Sequence, residues 1–182
     1  MYYFMIFYFC SFLGLIIETV FSRVAYGKAV SRRTMALSPL CPVYGFGGLF
    51  ISIICEQLGT FYGVFLGTLA AITAEYIYGI VCSRVFGIVL WDYSECKHNI
   101  NGLICPQFSF MWLGLTAIFA YVLKSPISFI AARFPFYAAV LLLVIFMIDI
   151  IMTVYLVLTG KIDVYCSVIK YRNGLRFIHK KT

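Results

Sequence analysis

The stretch VLWDYSECKHNINGLICPQFSFMW, residues 89–112, is the longest polar interruption between the hydrophobic segments of this 182-residue chain. The apolar runs on both sides of it are predicted to cross a bilayer as helices. The stretch is therefore a connection between membrane segments, and its position separates the apolar runs before it from those after it. A simple linker would not need the polar and aromatic side chains that are packed between Trp91 and Trp112.

The composition defines the class of protein. Hydrophobic residues make up 63% of the chain and charged residues 12%, and the mean hydropathy is +0.98. A soluble domain has roughly a quarter of its residues charged. The chain is therefore predicted to be an integral membrane protein with the lipid bilayer as its solvent. The net charge of +7 does not indicate a nucleic-acid partner, because in a membrane chain the location of each basic residue matters more than the sum.

The apolar runs predict an all-α polytopic membrane protein with about five transmembrane helices. We expect a single helical domain over residues 1–160, followed by a basic cytoplasmic tail over residues 161–182. The run at 43–59 is short and rich in glycine, so a re-entrant half-helix is the alternative to a full span there. We expect the fourth span to break after Lys124, because Pro126 follows it. The predicted spans are residues 2–22, 43–59, 61–82, 108–123 and 136–158.

Charge counting predicts the orientation. With five spans and the N-terminus outside, the cytoplasmic loops and tail hold every one of the 14 Lys and Arg residues except Lys124 and Arg133. This distribution is the one that the positive-inside rule predicts for the cell membrane. A re-entrant segment at 43–59 would invert the last three segments, so we favour a full span. The first segment has no basic start and no small-residue cleavage site, and we expect it to be retained.

This topology places four polar features at one membrane face. Glu18 lies near the cytoplasmic end of the first span, the turn CPVYGFG at the start of the second, Glu75 in the cytoplasmic half of the third, and residues 89–112 follow. An acid within a span is costly and is usually paired or faces a bundle interior. The alternative for Glu18 is an interfacial acid whose side chain reaches water or pairs with Arg23. Asp149 lies in the last span, where a hydrogen bond between helices is the simpler interpretation.

The cysteines and histidines do not predict a metal site. The seven cysteines form no CxxC pair and no zinc-ligand spacing with His98 and His179. We expect no metal and no cofactor, and we interpret the cysteines as small apolar residues. Cys105 has only His98 and Lys97 near it in sequence as activating groups, so a nucleophilic role is disfavoured.

Local patterns give ordinary interpretations for several further residues. Pro42 suits the first position of a helix, and the glycines after it permit close helix packing or an open backbone that touches a ligand. Trp91 and Trp112 match an aromatic belt at the headgroup level. Asp92 with Ser94 is typical of a cap, and the asparagines of NING are typical of turns.

Together the motifs GLIIE, CPVYGFG, AEYIYG, WDYS, NINGLIC and Trp112-Leu113-Gly114 resemble the ABC-transporter type IV (CmpB-like) family of small bacterial multi-pass membrane proteins. The resemblance covers residues 8 to 122. The family often has glycine-proline before its CP turn and arginine after NG, where this chain has Ser38-Pro39 and Leu103, so it lacks that fixed cation. The ligand or cavity residues that the resemblance implies are Glu18, Pro42, Tyr44, Gly45, Glu75, Tyr76, Trp91, Asp92, Tyr93, Asn99, Asn101, Gly102 and Cys105.

These observations support three hypotheses of function. The first is a permease-like component with a polar site open to the cytoplasm. The sequence has no GxxxxGK[ST] loop, so ATP-driven transport would need a separate ATPase subunit, and homo-oligomerisation would widen a five-helix pore. The second is an intramembrane enzyme acting on a lipid or headgroup, with Glu75 and Asp92 as an acid/base pair. The third is an assembly or scaffold protein. An enzymatic role is left open, and a non-enzymatic role is favoured.

Overall fold

The computed structural model describes residues 1–26, 38, 40–87 and 89–159. The basic loop at 27–37 and the predicted tail at 161–182 lie outside these residues. The described chain is helical, which confirms the prediction of an all-α polytopic membrane protein. Wide helical turns with i→i+5 hydrogen bonding continue α3 at Val81–Val85 and α4 at Phe119–Leu123. The helices are α1 Tyr2–Tyr26, α2 Pro42–Leu58, α3 Thr60–Ile80, α4 Pro106–Ile118, α5 Lys124–Arg133 and α6 Phe136–Leu158.

Four helical segments in the described residues are long and apolar enough to cross a membrane: Tyr2–Phe21, Thr60–Val85, Pro106–Arg133 and Phe136–Leu158. The helix α2 is apolar but has 17 residues. At 1.5 Å per residue it is about 25 Å long, somewhat less than the roughly 30 Å of a hydrocarbon core. The count of five spans and the outside location of the N-terminus therefore remain predictions.

The helix α4 begins at Pro106, inside the stretch 89–112, and the helical segment that it starts is longer than expected. It does not break after Lys124 but continues through Phe119–Leu123 into α5, which ends at Arg133. The amide of Lys124 donates to the carbonyl of Phe119, five residues back. This wider turn lies directly before Pro126 and accommodates the proline, whose ring and missing N–H disturb a regular helix. The expected break was wrong because the sequence does not show this wider turn.

The start of α2 follows from its sequence. Pro42 is the first helical residue, a position where a missing N–H costs nothing because it has no partner within the helix. Cys41 precedes it in an extended conformation, and its amide donates to the Ser11 carbonyl of α1 over 2.9 Å. The beginning of α2 is thereby attached to α1.

Glycines let α2 pack closely between α1 and α3. A Cβ on Gly45 would collide with the Ser11 hydroxyl and lie 2.7 Å from the Phe7 ring, both on α1. On the other side, a Cβ on Gly67 of α3 would lie 2.8 Å from the Ile51 side chain. Small residues at such positions bring helix backbones together. For Gly45, the geometry supports the packing interpretation.

We predict that Gly45→Ala lowers the thermal stability of the protein, because the added methyl has no room between α1 and α2. Overpacking of this kind costs about 1 to 3 kcal/mol. The melting temperature is measured on a detergent-purified fluorescent fusion, and the readout is its size-exclusion chromatogram. Gly114→Ala is the matched control, because a Cβ on Gly114 meets nothing within 4 Å. Equal melting of the two variants would contradict the packing role of Gly45.

Candidate functional site

Glu75 lies at the centre of the polar residues that the structure brings together. Its side chain is buried, with 6% exposure. The indole N–H of Trp112 on α4 donates to Oε2 over 2.8 Å, and the hydroxyl of Tyr93 approaches Oε1 at 3.3 Å. An indole nitrogen can only donate, so Oε2 is an acceptor in this contact. Glu75 on α3 thus connects α4 to residues 89–105, the part of the stretch that precedes α4.

Tyr44 extends these contacts to α1. Its hydroxyl donates to Oε1 of Glu18 over 2.6 Å, and its ring lies 5.2 Å from that of Trp112, centroid to centroid. Gly14 makes room for this arrangement, because a Cβ there would lie 2.5 Å from Tyr44. Arg23, the other partner considered for Glu18, is exposed on α1. We call the set Glu18, Tyr44, Trp112, Glu75 and Tyr93 the polar network.

The polar network forms at one end of the helix bundle. Glu18 and Glu75 belong to the C-terminal parts of α1 and α3, while Tyr44 and Trp112 belong to the first two turns of α2 and α4. The direct contacts among them mean that the four helices run in alternating directions past this point. The expected convergence of Glu18, the CPVYGFG turn, Glu75 and the connection is therefore present in the structure. Which membrane face this end occupies is still a prediction.

The connection contains a tight turn built by Asn101 and Gly102. Both residues have positive φ, 53° and 68°, which a type I′ turn requires and Asn-Gly supplies most readily. The Leu103 amide donates to the Ile100 carbonyl over 3.0 Å, and Ile100 and Ile104 pair across the turn. A Cβ on Gly102 would also lie 2.9 Å from the Asp92 carboxylate. Glycine is thus required at position 102 both by the positive φ of the turn and by the close Asp92 carboxylate.

Asp92 and Asn99 shape the connection itself. Asp92 Oδ1 accepts from the Ser94 amide over 2.9 Å, which is the turn cap expected from the sequence. Asn99 donates to the carbonyls of Ser94 and Cys96 and accepts from the Gly102 amide. These contacts lie within the connection. The side chains of Asp92 and Asn99 are therefore assigned to its folding, not to the surroundings of Glu75.

Trp91 holds the connection against α3. Its side chain is 3% exposed, its indole donates to the Leu103 carbonyl over 2.8 Å, and its ring stacks on Tyr78 at 6.3 Å. Trp112 is likewise buried, at 8% exposure. The assignment of both tryptophans to a lipid-facing aromatic belt was wrong, because their N–H groups bond inside the protein. The sequence alone did not show this, because a tryptophan near a helix end is expected both in an aromatic belt and as a buried hydrogen-bonding residue.

A second contact between the connection and α3 lies nearer the surface. The side-chain amide of Asn101 donates to the Tyr76 hydroxyl over 2.7 Å. Asn101 is exposed and Tyr76 is half-buried. Of the residues expected at the site, these two are therefore adjacent to the polar network but closer to solvent.

Cys105 is a buried structural residue. It immediately precedes Pro106, the first residue of α4, and is 2% exposed. Cys96 packs against the same buried cluster. Burial and the neighbouring Cys105 raise the pKa of the Cys96 thiol, which opposes thiolate formation. In the described part of the chain, no group of three His, Cys, Asp or Glu side chains could hold a metal ion.

Asp149 makes a contact that the sequence did not predict. The amide and hydroxyl of Ser38 donate to its two carboxylate oxygens over 3.0 and 2.8 Å. Asp149 is on α6 and is 8% exposed, while Ser38 precedes α2. This pair attaches the α1–α2 connection to α6, so the contact joins a loop residue to Asp149 and is not the hydrogen bond between two helices that was the simpler interpretation. No spacing rule links two residues so far apart in sequence.

The fold and the polar network define a polytopic helical membrane protein with an ionisable group inside its bundle. Residues 5–154 match the profile of the family described as "Putative ABC-transporter type IV". Because the match covers most of the chain, the protein belongs to this family, as the motifs predicted. The comparisons with curated proteins and with solved structures found no match.

We predict that Tyr44→Phe destabilises the protein, because the change removes the donor to Glu18 and keeps the ring beside Trp112. A hydrogen bond to a charged group contributes about 1.5 to 3 kcal/mol. The free energy of unfolding in mixed detergent micelles measures the loss. Tyr62→Phe is the matched control, since Tyr62 is 57% exposed at the far end of α3. A Tyr44→Phe variant as stable as the Tyr62→Phe variant would argue against the Tyr44–Glu18 contact.

Proposed function

We propose that this protein is the permease-like membrane component of a transporter, with the polar network as its substrate or ion site and with that site facing the cytoplasm. The family description supports the transporter class. The positive-inside distribution of Lys and Arg supports the cytoplasmic direction.

The burial of Glu75 is the observation on which the proposal rests. A carboxyl group inside the helical segment Thr60–Val85 is costly, and such groups commonly line ion or substrate pathways. Its two described donors, Trp112 and Tyr93, come from α4 and from the 89–112 connection. A ligand that altered these bonds would act on two elements at once. This arrangement suits a site that must couple ligand binding to movement.

The proposed transporter contains two further components, a separate ATPase subunit and a second copy of this chain. The 182 residues contain no phosphate-binding GxxxxGK[ST] loop, so energy from ATP would come from a separate ATPase subunit. A second copy of the chain would supply the further helices that a wider pathway needs.

The two alternatives receive less support from the geometry. An acid/base pair would need Glu75 and Asp92 near one reacting group, and the described contact of Asp92 is with the Ser94 amide of its own turn. A scaffold could join its helices with neutral hydrogen bonds and would avoid the cost of a buried carboxyl. Transport is therefore the function that we favour.

Uptake by membrane vesicles tests the proposal. Vesicles from cells that express the chain keep any ATPase subunit, and they can be incubated with an extract of cellular solutes, with and without ATP. Mass spectrometry of the vesicle contents should show at least one solute that wild-type protein accumulates. Glu75→Gln should reduce this accumulation by roughly tenfold, because losing a charged hydrogen-bonding partner is worth at least 1.4 kcal/mol.

The exposed Tyr62→Phe variant serves as the control and should transport like wild type. Each variant is also checked for expression and for a single peak in size-exclusion chromatography. The transport proposal fails if a correctly folded wild-type protein accumulates no solute under either condition. If Glu75→Gln changes stability and leaves the uptake as it was, the assignment of Glu75 to the transport site fails, and its role is structural.

A further inference from the structure

Two cysteine side chains, Cys96 and Cys105, meet in the connection that precedes α4. A side-chain hydrogen bond joins the two thiol groups. Both side chains also pack in the same buried cluster, beside Trp91 and Tyr93. Both cysteines are present as thiols. Residues 97–104 separate them in sequence, so their contact depends on how the chain turns between them.

The backbone between the two cysteines forms a closed loop. The side-chain amide of Asn99 donates to the Cys96 carbonyl over 2.9 Å, and its oxygen accepts from the Gly102 amide over 2.9 Å. Beyond the turn, the Ile100 amide donates to the carbonyl of Ile104 over 2.9 Å, and the second cysteine follows directly. Several bonds therefore hold the two ends of the loop together, and the contact between the thiols follows from the fold of the connection.

The two thiols differ in their access to solvent. Cys96 is half-buried and lies between Glu95 and Lys97, which are both exposed. Cys105 is 2% exposed and directly precedes Pro106, the first residue of α4. A small reagent can therefore reach the first thiol from solvent, whereas the second thiol is reached through the first. An accessible thiol beside a second, resolving thiol is the arrangement of redox-active pairs.

A bond between the two sulfur atoms would join two elements of the polar network. A disulfide has its Cβ atoms about 3.5 to 4.5 Å apart, and thiols that already share a hydrogen bond reach this geometry by small side-chain rotations. The bond would attach the connection to the start of α4. These two elements carry Tyr93 and Trp112, the described donors to Glu75.

We propose that Cys96 and Cys105 are a redox-active pair that a low-molecular-weight disulfide oxidises to an intramolecular disulfide. The Cys96 thiol loses its proton to solvent, and the thiolate attacks one sulfur of the oxidant. This step forms a mixed disulfide and releases one thiolate. The Cys105 thiol, deprotonated in turn, attacks the Cys96 sulfur and releases the second thiolate. The two cysteines together lose two electrons and two protons, and the oxidant leaves as two thiols.

This modification site goes beyond the proposed transport function and does not depend on it. On the cytoplasmic face that the charge distribution predicts, the glutathione pool keeps such pairs reduced. The disulfide then forms when that pool becomes oxidised. It fixes the connection against α4, next to the Glu75 carboxylate.

Oxidation of the full-length protein in lipid nanodiscs tests the proposal. Reduced protein, freed of reductant, is incubated with hydroxyethyl disulfide, a small neutral probe. The buffer is mildly alkaline, because burial and then the neighbouring Cys105 raise the pKa of the Cys96 thiol and slow its attack at neutral pH. The remaining thiols are afterwards alkylated in denaturant, and the protein is digested with trypsin.

Trypsin cleaves after Lys97, which lies between the two cysteines. The peptides of residues 85–97 and 98–124 therefore stay joined only where the disulfide has formed. Mass spectrometry should find the joined pair in the oxidised sample and separate peptides in the reduced one. The melting temperature of the oxidised protein should rise by about 5 °C, because the bond restricts the unfolded chain.

Single substitutions separate the two steps. Cys105→Ser should stop at the mixed disulfide on Cys96, and Cys96→Ser should leave Cys105 unmodified. Cys82→Ser is the matched control and should oxidise like wild type, because Cys82 is 1% exposed in the same buried cluster.

The wild-type reaction decides the outcome if a variant does not fold. A wild-type protein whose Cys96 stays unmodified, or keeps the mixed disulfide without joined peptides, would overturn the proposal. Joining of Cys96 to Cys82 in place of Cys105 would overturn it as well. Joined peptides with an unchanged melting temperature would refute the fixing of the connection alone.

Discussion

The hydrogen bond from the Trp112 indole to the Glu75 carboxylate is the contact on which the arrangement of this bundle depends. It joins α4 to α3 inside a membrane segment, where a carboxyl group without donors would be strongly unfavourable. Tyr93 brings the 89–112 connection to the same carboxylate. Because the donors of one buried carboxylate come from α4 and from the connection, the rotation of α3 and α4 and the position of the connection are linked.

The close approach of the helices makes this contact possible. Gly14 and Gly45 let α1 and α2 lie against each other, and Tyr44 then reaches both Glu18 and the Trp112 ring. The turn at Asn101 and Gly102 holds the connection over the end of α3. Packing by small residues and hydrogen bonding by a few polar groups therefore act together, as is common where lipid removes the hydrophobic driving force between helices.

Hydropathy predicted the helical class, and the alternating direction of the spans predicted that Glu18 and Glu75 would meet at one end. The Asn-Gly pair predicted its turn, because the required positive φ values are a local property. The partner of Glu75 could not be predicted, since it depends on the rotation of α4 about its axis. For the same reason Trp91 and Trp112 were assigned to the lipid interface, and Asp149 was not connected to Ser38.

Seven of the site residues suggested by the family motifs fall into two groups in the structure. Glu18, Tyr44, Glu75 and Tyr93 contribute side chains to the polar network, whereas Asp92, Asn99 and Gly102 shape the connection that carries Tyr93. A motif cannot separate these groups, because a residue that shapes a turn and one that faces a ligand are both polar and both specific in sequence.

The most direct measurement is the ¹H–¹⁵N NMR spectrum of protein labelled at the indole nitrogens, because the chain has only two tryptophans. Trp112 should give an indole signal that Trp112→Phe removes and that Glu75→Gln shifts, since the substitution takes the charge from its acceptor. The Trp91 signal should stay in place, because its acceptor is the Leu103 carbonyl. If Glu75→Gln leaves both signals unmoved in a folded protein, the Trp112–Glu75 contact and the network built on it are contradicted.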